Sequence, residues 1–373
     1  MKMPLLLMSL AGVLLCLSVV ESLRHARRIR KIPVRILVNG TRGKTSVTRL
    51  ITAALQSSGR LVRGKCTGTD PREILPNGSE YETPRPHGAR ITEMKGFFAR
   101  AVKDGSDAVV IECMAVRPEM QQALARHLVK PTITVITNTL VDHIDEMGAT
   151  RTETAQSLRH CLIPGTELVT DEAFFLDWPA LFGGDKDPLP EDYAGRFSFP
   201  VYESNLRLAL SAATLAGASR ETALLGMPKA RPDTGMAGPF YVKQTKIYNA
   251  FAANDPVSTA LLAQNAARAL AGNDRFVILY NNRADREYRL KSFVQPLQDL
   301  ATFHPRLHIM GDSKNKVSRY FARRLPYPCQ PLDVQQLQSE TFYETDQVVL
   351  CVGNIKGDGH AMIEYLIHQG AEQ

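Results

Sequence analysis

Val34-Arg35-Ile36-Leu37-Val38-Asn39-Gly40-Thr41-Arg42-Gly43-Lys44-Thr45-Ser46 is the stretch on which the fold turns. Val34 to Val38 is a short apolar run rich in β-branched residues, which predicts a buried strand. After Ser46, Val47, Leu50, Ile51, Ala54 and Leu55 recur at helical spacing, which predicts a helix to about Ser57. Between strand and helix stands Gly-x-x-Gly-Lys-Thr. Glycines let backbone N–H groups close on phosphate oxygens, and a helix N-terminus favours negative charge. Lys44 can reach the terminal phosphates of a nucleotide, and Thr45 can hold Mg²⁺. Gly40, Thr41, Arg42, Gly43, Lys44, Thr45 and Ser46 are therefore the expected triphosphate cradle. The loop is shorter than the usual eight-residue form, because Val38 stands where a first glycine would be. No Asn-Lys-x-Asp guanine reader occurs, which excludes an ordinary GTPase.

Working outward, Asp107–Glu112 and Thr132–Asn138 predict two more buried strands, with helical periodicity at Glu93–Lys103 and Glu119–Leu128. Strands that alternate with helices predict a parallel sheet covered on both faces. Asn205–Ala218 predicts a helix, and the Pro- and Gly-rich Gly226–Pro239 an interdomain linker. Beyond it the rhythm restarts. Strands are expected at Lys246–Phe251, Arg275–Tyr280, Leu307–Met310 and Gln347–Val352, with a helix at Val257–Ala271. The expected fold is α/β, with a P-loop ATP-binding domain over residues 23–240 and a smaller Rossmann-like domain over 241–373.

Residues Met3 to Val20 run for eighteen positions without a charge, and Arg24, Arg27, Arg28, Arg30 and Lys31 follow. That length is just enough helix for a bilayer core of about 30 Å. The basic flank predicts a single-pass transmembrane anchor over residues 1–22, with the catalytic body on the cytoplasmic side of the cell membrane. A cleaved signal peptide is the competing reading, and the position of the basic flank argues against it. From Ser22 to Thr69 there are twelve Lys and Arg and no Asp or Glu, whereas the rest of the chain is net acidic. This asymmetry argues against a general nucleic-acid binder and for anionic substrates or a membrane surface. The six cysteines form no CxxC pair and predict reduced thiols.

The loop GTRGKT, the strand ending VVIECMA at Glu112, and TNTLVDHIDEMG at Thr137–Gly148 together resemble the Mur ligase superfamily, whose members join a carboxylate to an amine using ATP. YNAFAANDPVST at Tyr248–Thr259 and NNRADR at Asn281–Arg286 continue the likeness. The chain looks most similar to the membrane-anchored ligase subunit of poly-γ-glutamate (capsule) synthases, with the expected anchor preceding the loop. KCTGTD at Lys65–Asp70, ECMAVRPE at Glu112–Glu119 and VGNIKG at Val352–Gly357 carry that closer match.

The resemblance implies that Lys44, Glu112 and His143 are catalytic, and that Thr45, Glu112 and His143 surround Mg²⁺. It implies that Asp285 holds the ATP ribose with Arg286 beside it, and that Asn254 and Asp255 stand near the terminal phosphate. It further implies glutamate and growing polyglutamate as substrates, and small membrane subunits of a synthase or export complex as partners. Two departures stand out. Leu158 occupies the position of a carbamylated lysine that supports a second Mg²⁺. The His-Asn-x-x-Asn helix start keeps only Asn205, with Leu208 at the later position. No separate domain for a nucleotide-linked sugar is expected before the loop.

An acidic polymer needs a cationic path, for which Arg63, Lys65, Arg72, Arg90 and Arg117 are candidates, with Asp70 in the same turn region. The competing reading for these charges is solvated surface. Two other functions stay open at this point. One is a ligase for another amino acid or acid. The other is a non-ligase ATPase or regulatory subunit of a polymer export complex.

Overall fold

The computed structural model describes the chain except residues 1, 69–70, 86–87, 198, 200, 233–239, 252–255, 273, 285–289, 344–345 and 372–373. It divides into two compact units. One holds residues 1–196 and 201–231, the other 197–200 and 232–373.

In the first unit the strands are β1 (Val34–Asn39), β2 (Val62–Cys66), β3 (Arg72–Ile74), β4 (Glu80–Glu82), β5 (Ala108–Glu112), β6 (Ile133–Ile136), β7 (Glu167–Val169) and β8 (Leu181–Phe182). Among the described residues they form one sheet in the order β4-β3-β2-β5-β1-β6-β7-β8. The expected parallel sheet is present: β1 runs parallel to both β5 and β6, with Val38 opposite Glu112 and Asn39 opposite Ile136. The hairpin β3–β4 adds an antiparallel edge. Central strands are covered on both faces, so Ile36, Leu37, Val38, Val109, Val110 and Ile111 are all buried.

The helices of this unit are α1 (Lys2–Arg30), α2 (Lys44–Ser57), α3 (Glu93–Lys103), α4 (Pro118–Ala123), α5 (Ile144–Met147), α6 (Arg151–Arg159), α7 (Glu203–Leu215) and α8 (Arg220–Gly226). The apolar stripe expected on α2 is buried from Val47 to Leu55. The expected helix at Glu119–Leu128 is α4 running on into a wider π-turn at Leu124–Val129. Thr150 caps α6 through a reciprocal pair with Glu153.

The transmembrane anchor is overturned. Among the described residues no helix is long and apolar enough to cross a membrane. The uncharged run has no helix of its own. It is part of α1, which continues through Glu21, Arg24, His25, Arg27, Arg28 and Arg30. That charged end is tied to the body. The buried His25 bonds Leu128 O through Nε2 at 3.0 Å, Ile29 is in the core, and Glu21 pairs with Lys95 at 2.5 Å. A single-pass placement in the cell membrane therefore has no support.

The second unit has its own sheet, built from β9 (Phe240–Val242), β10 (Thr245–Asn249), β11 (Arg275–Asn282), β12 (Arg306–Gly311), β13 (Cys329–Pro331) and β14 (Gln347–Gly353). Their order is β13-β12-β11-β14-β10-β9, parallel except for the β10–β9 edge. Helices Pro256–Arg268, Leu290–Gln298, Lys314–Ala322 and Asp358–Ala371 accompany it. Part of the expected linker is packed structure. Gly226 ends α8, and Met227 and Ala230 are buried. The rest of that linker, from residue 233, lies outside the described residues.

Candidate active site

The functional side chains gather where the strands of the first sheet end, the edge at which open α/β sheets bind ligands. β1 delivers the loop Gly40–Thr45. Gly40 and Gly43 both have positive φ, at 122° and 78°. A Cβ at Gly40 would collide with the Thr137 side chain, and one at Gly43 would lie 2.8 Å from the Asn205 amide. Only glycine fits at either position. Gly43 precedes α2 with no side-chain cap, so the first N–H groups of the helix are left for a ligand.

The turn after β6 braces this loop. Asn138 Oδ1 accepts from Thr41 Oγ1 at 2.7 Å and from Arg42 N at 3.2 Å. Arg42 O accepts from Thr137 Oγ1 at 2.5 Å and from Asn138 Nδ2 at 3.1 Å. The Lys44 ammonium folds back over the loop, 2.7 Å from Gly40 O and 3.2 Å from Thr41 O.

β5 ends in Glu112, and its parallel register sets that residue beside Val38, two positions before the glycine loop. The carboxylate is almost fully buried. It accepts from Thr45 Oγ1 at 3.1 Å on each oxygen, and from Thr67 N at 2.7 Å. His143 holds a left-handed backbone (φ 49°) at the start of α5, 3.8 Å from Asp142 through Nε2. Asp142 in turn pairs with Arg42 at 3.2 Å. Lys44, Glu112 and His143 line one cleft, together with Asn39, Thr67 and Gly68.

The curated relatives decide the family. The chain is 30% identical to the Bacillus subtilis protein "PGA synthase CapB", over 96% of each chain. The chain belongs to the CapB poly-γ-glutamate synthase family. It is also 30% identical to the Bacillus anthracis "Capsule biosynthesis protein CapB", across 92% of this chain and 79% of that one. Two family models match in succession. The Mur ligase middle domain covers residues 38–158, and the poly-gamma-glutamate synthase CapB C-terminal domain covers 239–369.

Solved structures give the same fold at low identity. Escherichia coli FolC in complex with ADP superposes with a TM-score of 0.68 at 16% identity, covering 92% of each chain. Acinetobacter baumannii MurF does so with a TM-score of 0.68 at 13% identity, over 95% of this chain and 79% of that one. A folylpolyglutamate/dihydrofolate synthase with Mn, AMPPNP and L-glutamate bound gives 0.69 at 16% identity, over 93% and 92%. As a CapB-family member the chain is an ATP-dependent carboxylate–amine ligase.

Of the metal-site residues the family resemblance implies, Glu112 and His143 line one cleft, and Thr45 meets Glu112 behind it. Among the described residues no group of three or more His, Cys, Asp or Glu could by itself hold a metal ion. Thr45 Oγ1 and the Glu112 carboxylate are oxygen donors of the kind that suit a hard divalent cation completed by water and phosphate oxygens. Cys113, next to Glu112, is no nucleophile, because burial pushes its thiol up to about 11. Leu158 is a core residue of α6. Asn205 lies against Gly43, whereas Leu208 is buried in the packing of α7.

The expected cationic path comes apart. Arg63 and Lys65 are fully buried on β2 and line no open surface. Arg63 bonds Glu73 at 2.9 Å and also pairs with Asp104. Lys65 lies 3.4 Å from Glu73 and 3.2 Å from Glu93. Burial alone would raise the Glu73 carboxyl. Hydrogen bonds from Arg100 and Tyr81, with the charges of Lys65 and Arg100, instead hold it at about 2. Arg72 is on β3, while Arg90 and Arg117 are exposed. Asp70, Asn254, Asp255, Asp285 and Arg286 lie outside the described residues.

Thr67, Gly68, Asn138 and Asp142 complete the site, although sequence reading gave none of them a role. In the second unit Asn281 Nδ2 donates to Asn354 O at 2.5 Å and Lys356 O at 3.0 Å, and Asn282 Nδ2 to Asp312 O at 2.7 Å. The NNRADR and VGNIKG motifs thus tie together the ends of β11, β12 and β14.

Proposed function

We infer that the loop Gly40–Ser46 grips the triphosphate of ATP, and that Lys44, Thr45 and Glu112 arrange it for attack by a glutamate carboxylate. Membership of the family makes the chain an ATP-dependent amide ligase that polymerises glutamate. The residue roles are our reading. A free carboxylate resists an amine because its charge and resonance repel the nucleophile. Transfer of the γ-phosphoryl to one carboxylate oxygen releases ADP and leaves an acyl phosphate. The amine of the next glutamate attacks its carbonyl, the C–O bond to phosphate breaks, and inorganic phosphate leaves with the amide formed.

The chain's own share is positioning and charge neutralisation. The uncapped start of α2 offers N–H groups to phosphate oxygens. Lys44 leaves its two loop carbonyls to meet the terminal phosphates. Thr45 and Glu112 would hold a divalent cation, which we take to be Mg²⁺, with His143 at the rim of the same cleft. Bound there, such a cation would neutralise the phosphate oxygens.

The Thr45–Glu112 contact carries this reading, since it sets a hydroxyl and a buried carboxylate at the mouth of a phosphate-binding helix. Product analysis tests it. Purified protein with ATP, Mg²⁺ and glutamate should release ADP and phosphate in step with amide formation. AMP as product, or ADP release indifferent to glutamate, would reject it. The roles that the resemblance gives to Asn254, Asp255, Asp285 and Arg286 are likewise proposals, as are partner subunits of a synthase. Weakened binding of an ATP analogue by Asp285→Ala, and co-purification of partners, are the respective tests.

A further inference from the structure

A second concavity lies within the first unit, away from the cradle. Its walls are the C-terminal half of α2, the β3–β4 hairpin and the short turn after α8, and it encloses about 520 Å³. It starts near Arg49 and runs to Ser57. By the rise of a helix, that is about 7 to 20 Å along α2 from Lys44.

Its charge is lopsided. Arg49, Lys229 and Arg231 face a single lining carboxylate, Glu80. Glu80 is already engaged by Arg49 at 2.5 Å, as a buried pair. Arg49 Nη1 also reaches Arg231 O at 3.5 Å, so the buried arginine fixes the backbone that carries the outer one. Lys229 and Arg231 remain exposed at the rim. The neutral lining suits an extended chain. Ala53, Gly78 and Ser57 are small, and Ile74 and Pro76 offer apolar surface to methylene groups. Asn77 uses its side-chain oxygen for Ser79 N and Oγ, which leaves its NH₂ as a donor.

We propose that this groove holds the γ-glutamyl chain already made, as a product-tail site separate from the triphosphate cradle. Carboxylates along the tail meet Lys229 and Arg231, and its methylene segments lie on Ile74 and Pro76. The proposal rests on the ligase reading above and replaces the path once expected from Arg63 and Lys65.

The test is binding of a fluorescent short γ-glutamyl oligomer to the full chain, read by anisotropy at low and high salt. Lys229→Glu with Arg231→Glu should weaken binding at least tenfold, which corresponds to about 1.4 kcal/mol, and should shorten the polymer made. Lys229→Arg with Arg231→Lys should keep both. Lys103→Glu, an exposed charge reversal elsewhere, controls for bulk charge. Equal affinity in the wild type and the double reversal, or equal weakening by Lys103→Glu, overturns the groove. Glutamate-dependent ADP release by the wild type is followed in parallel. Its absence would sink the ligase reading, and its presence with unchanged oligomer binding would sink the groove alone.

Discussion

The Thr45 hydroxyl stands 3.1 Å from each carboxylate oxygen of Glu112, so a helix start and a strand end meet at a single point. Thr67 N–H holds the same carboxylate from a second strand end, that of β2. Glu112→Gln keeps the shape and removes the charge. The divalent-cation concentration for half-maximal turnover should rise by roughly 10–100-fold. A titration that overlays the wild type would show that Glu112 has no part in holding the cation.

Lys44 bonds only to carbonyls of its own loop among the bonds described, so its loss strips the cradle and little else. Lys44→Ala should lower the rate of ADP release by about 100–1000-fold, with the thermal unfolding midpoint close to that of the wild type. Retained turnover would reject the phosphate-loop assignment.

Gly43 sits at φ 78° with Asn205 where a Cβ would go. Gly43→Ala should cost about 1–3 kcal/mol from backbone strain, with a further loss from the contact. Adding Asn205→Ala should restore the contact part and leave the strain. A double-mutant cycle in denaturant measures both. Strict additivity would mean that the two positions do not collide.

Glu73 is buried among Arg63, Lys65 and Arg100. Glu73→Gln leaves Arg63 with Asp104 and Lys65 with Glu93 as their remaining carboxylates, and should destabilise the fold by up to about 3 kcal/mol. The pH dependence follows from the sign of the shift. The folded carboxyl, at about 2, lies below its ordinary 4.5. Its contribution is therefore full above pH 4.5 and is lost as pH falls towards 2. Acid unfolding of Glu73→Gln should be flatter over that window. A slope matching the wild type would mean the ion cluster does not govern acid stability.

The sheet centre and the cradle were legible because each has a local signature. β1, β5 and β6 are short, mainly apolar runs rich in β-branched residues, and two glycines with a lysine mark the loop between β1 and α2. β2 was not, because Arg63 and Lys65 read as surface charge, and the residue that buries them, Glu73, lies on a three-residue strand. Strands as short as β3, β4, β7 and β8 carry no usable period. Thr67 acts through its backbone N–H, which no residue type announces. The anchor failed for a related reason. An apolar run reports its own length, whereas the docking of α1 depends on His25 reaching Leu128, 103 residues away, and on Ile29 entering the core.

The Glu73 cluster also constrains how this edge of the molecule can open. Its carboxylate accepts from Arg63 on β2, Tyr81 on β4 and Arg100 on α3 at once. Fraying any one of those elements alone removes a partner from a carboxylate that has no access to water. β2, the β3–β4 hairpin and α3 should thus exchange their amide hydrogens together, as one cooperative block with a common opening energy. Since β2 leads directly into Thr67, the clamp on Glu112 inherits the rigidity of that block.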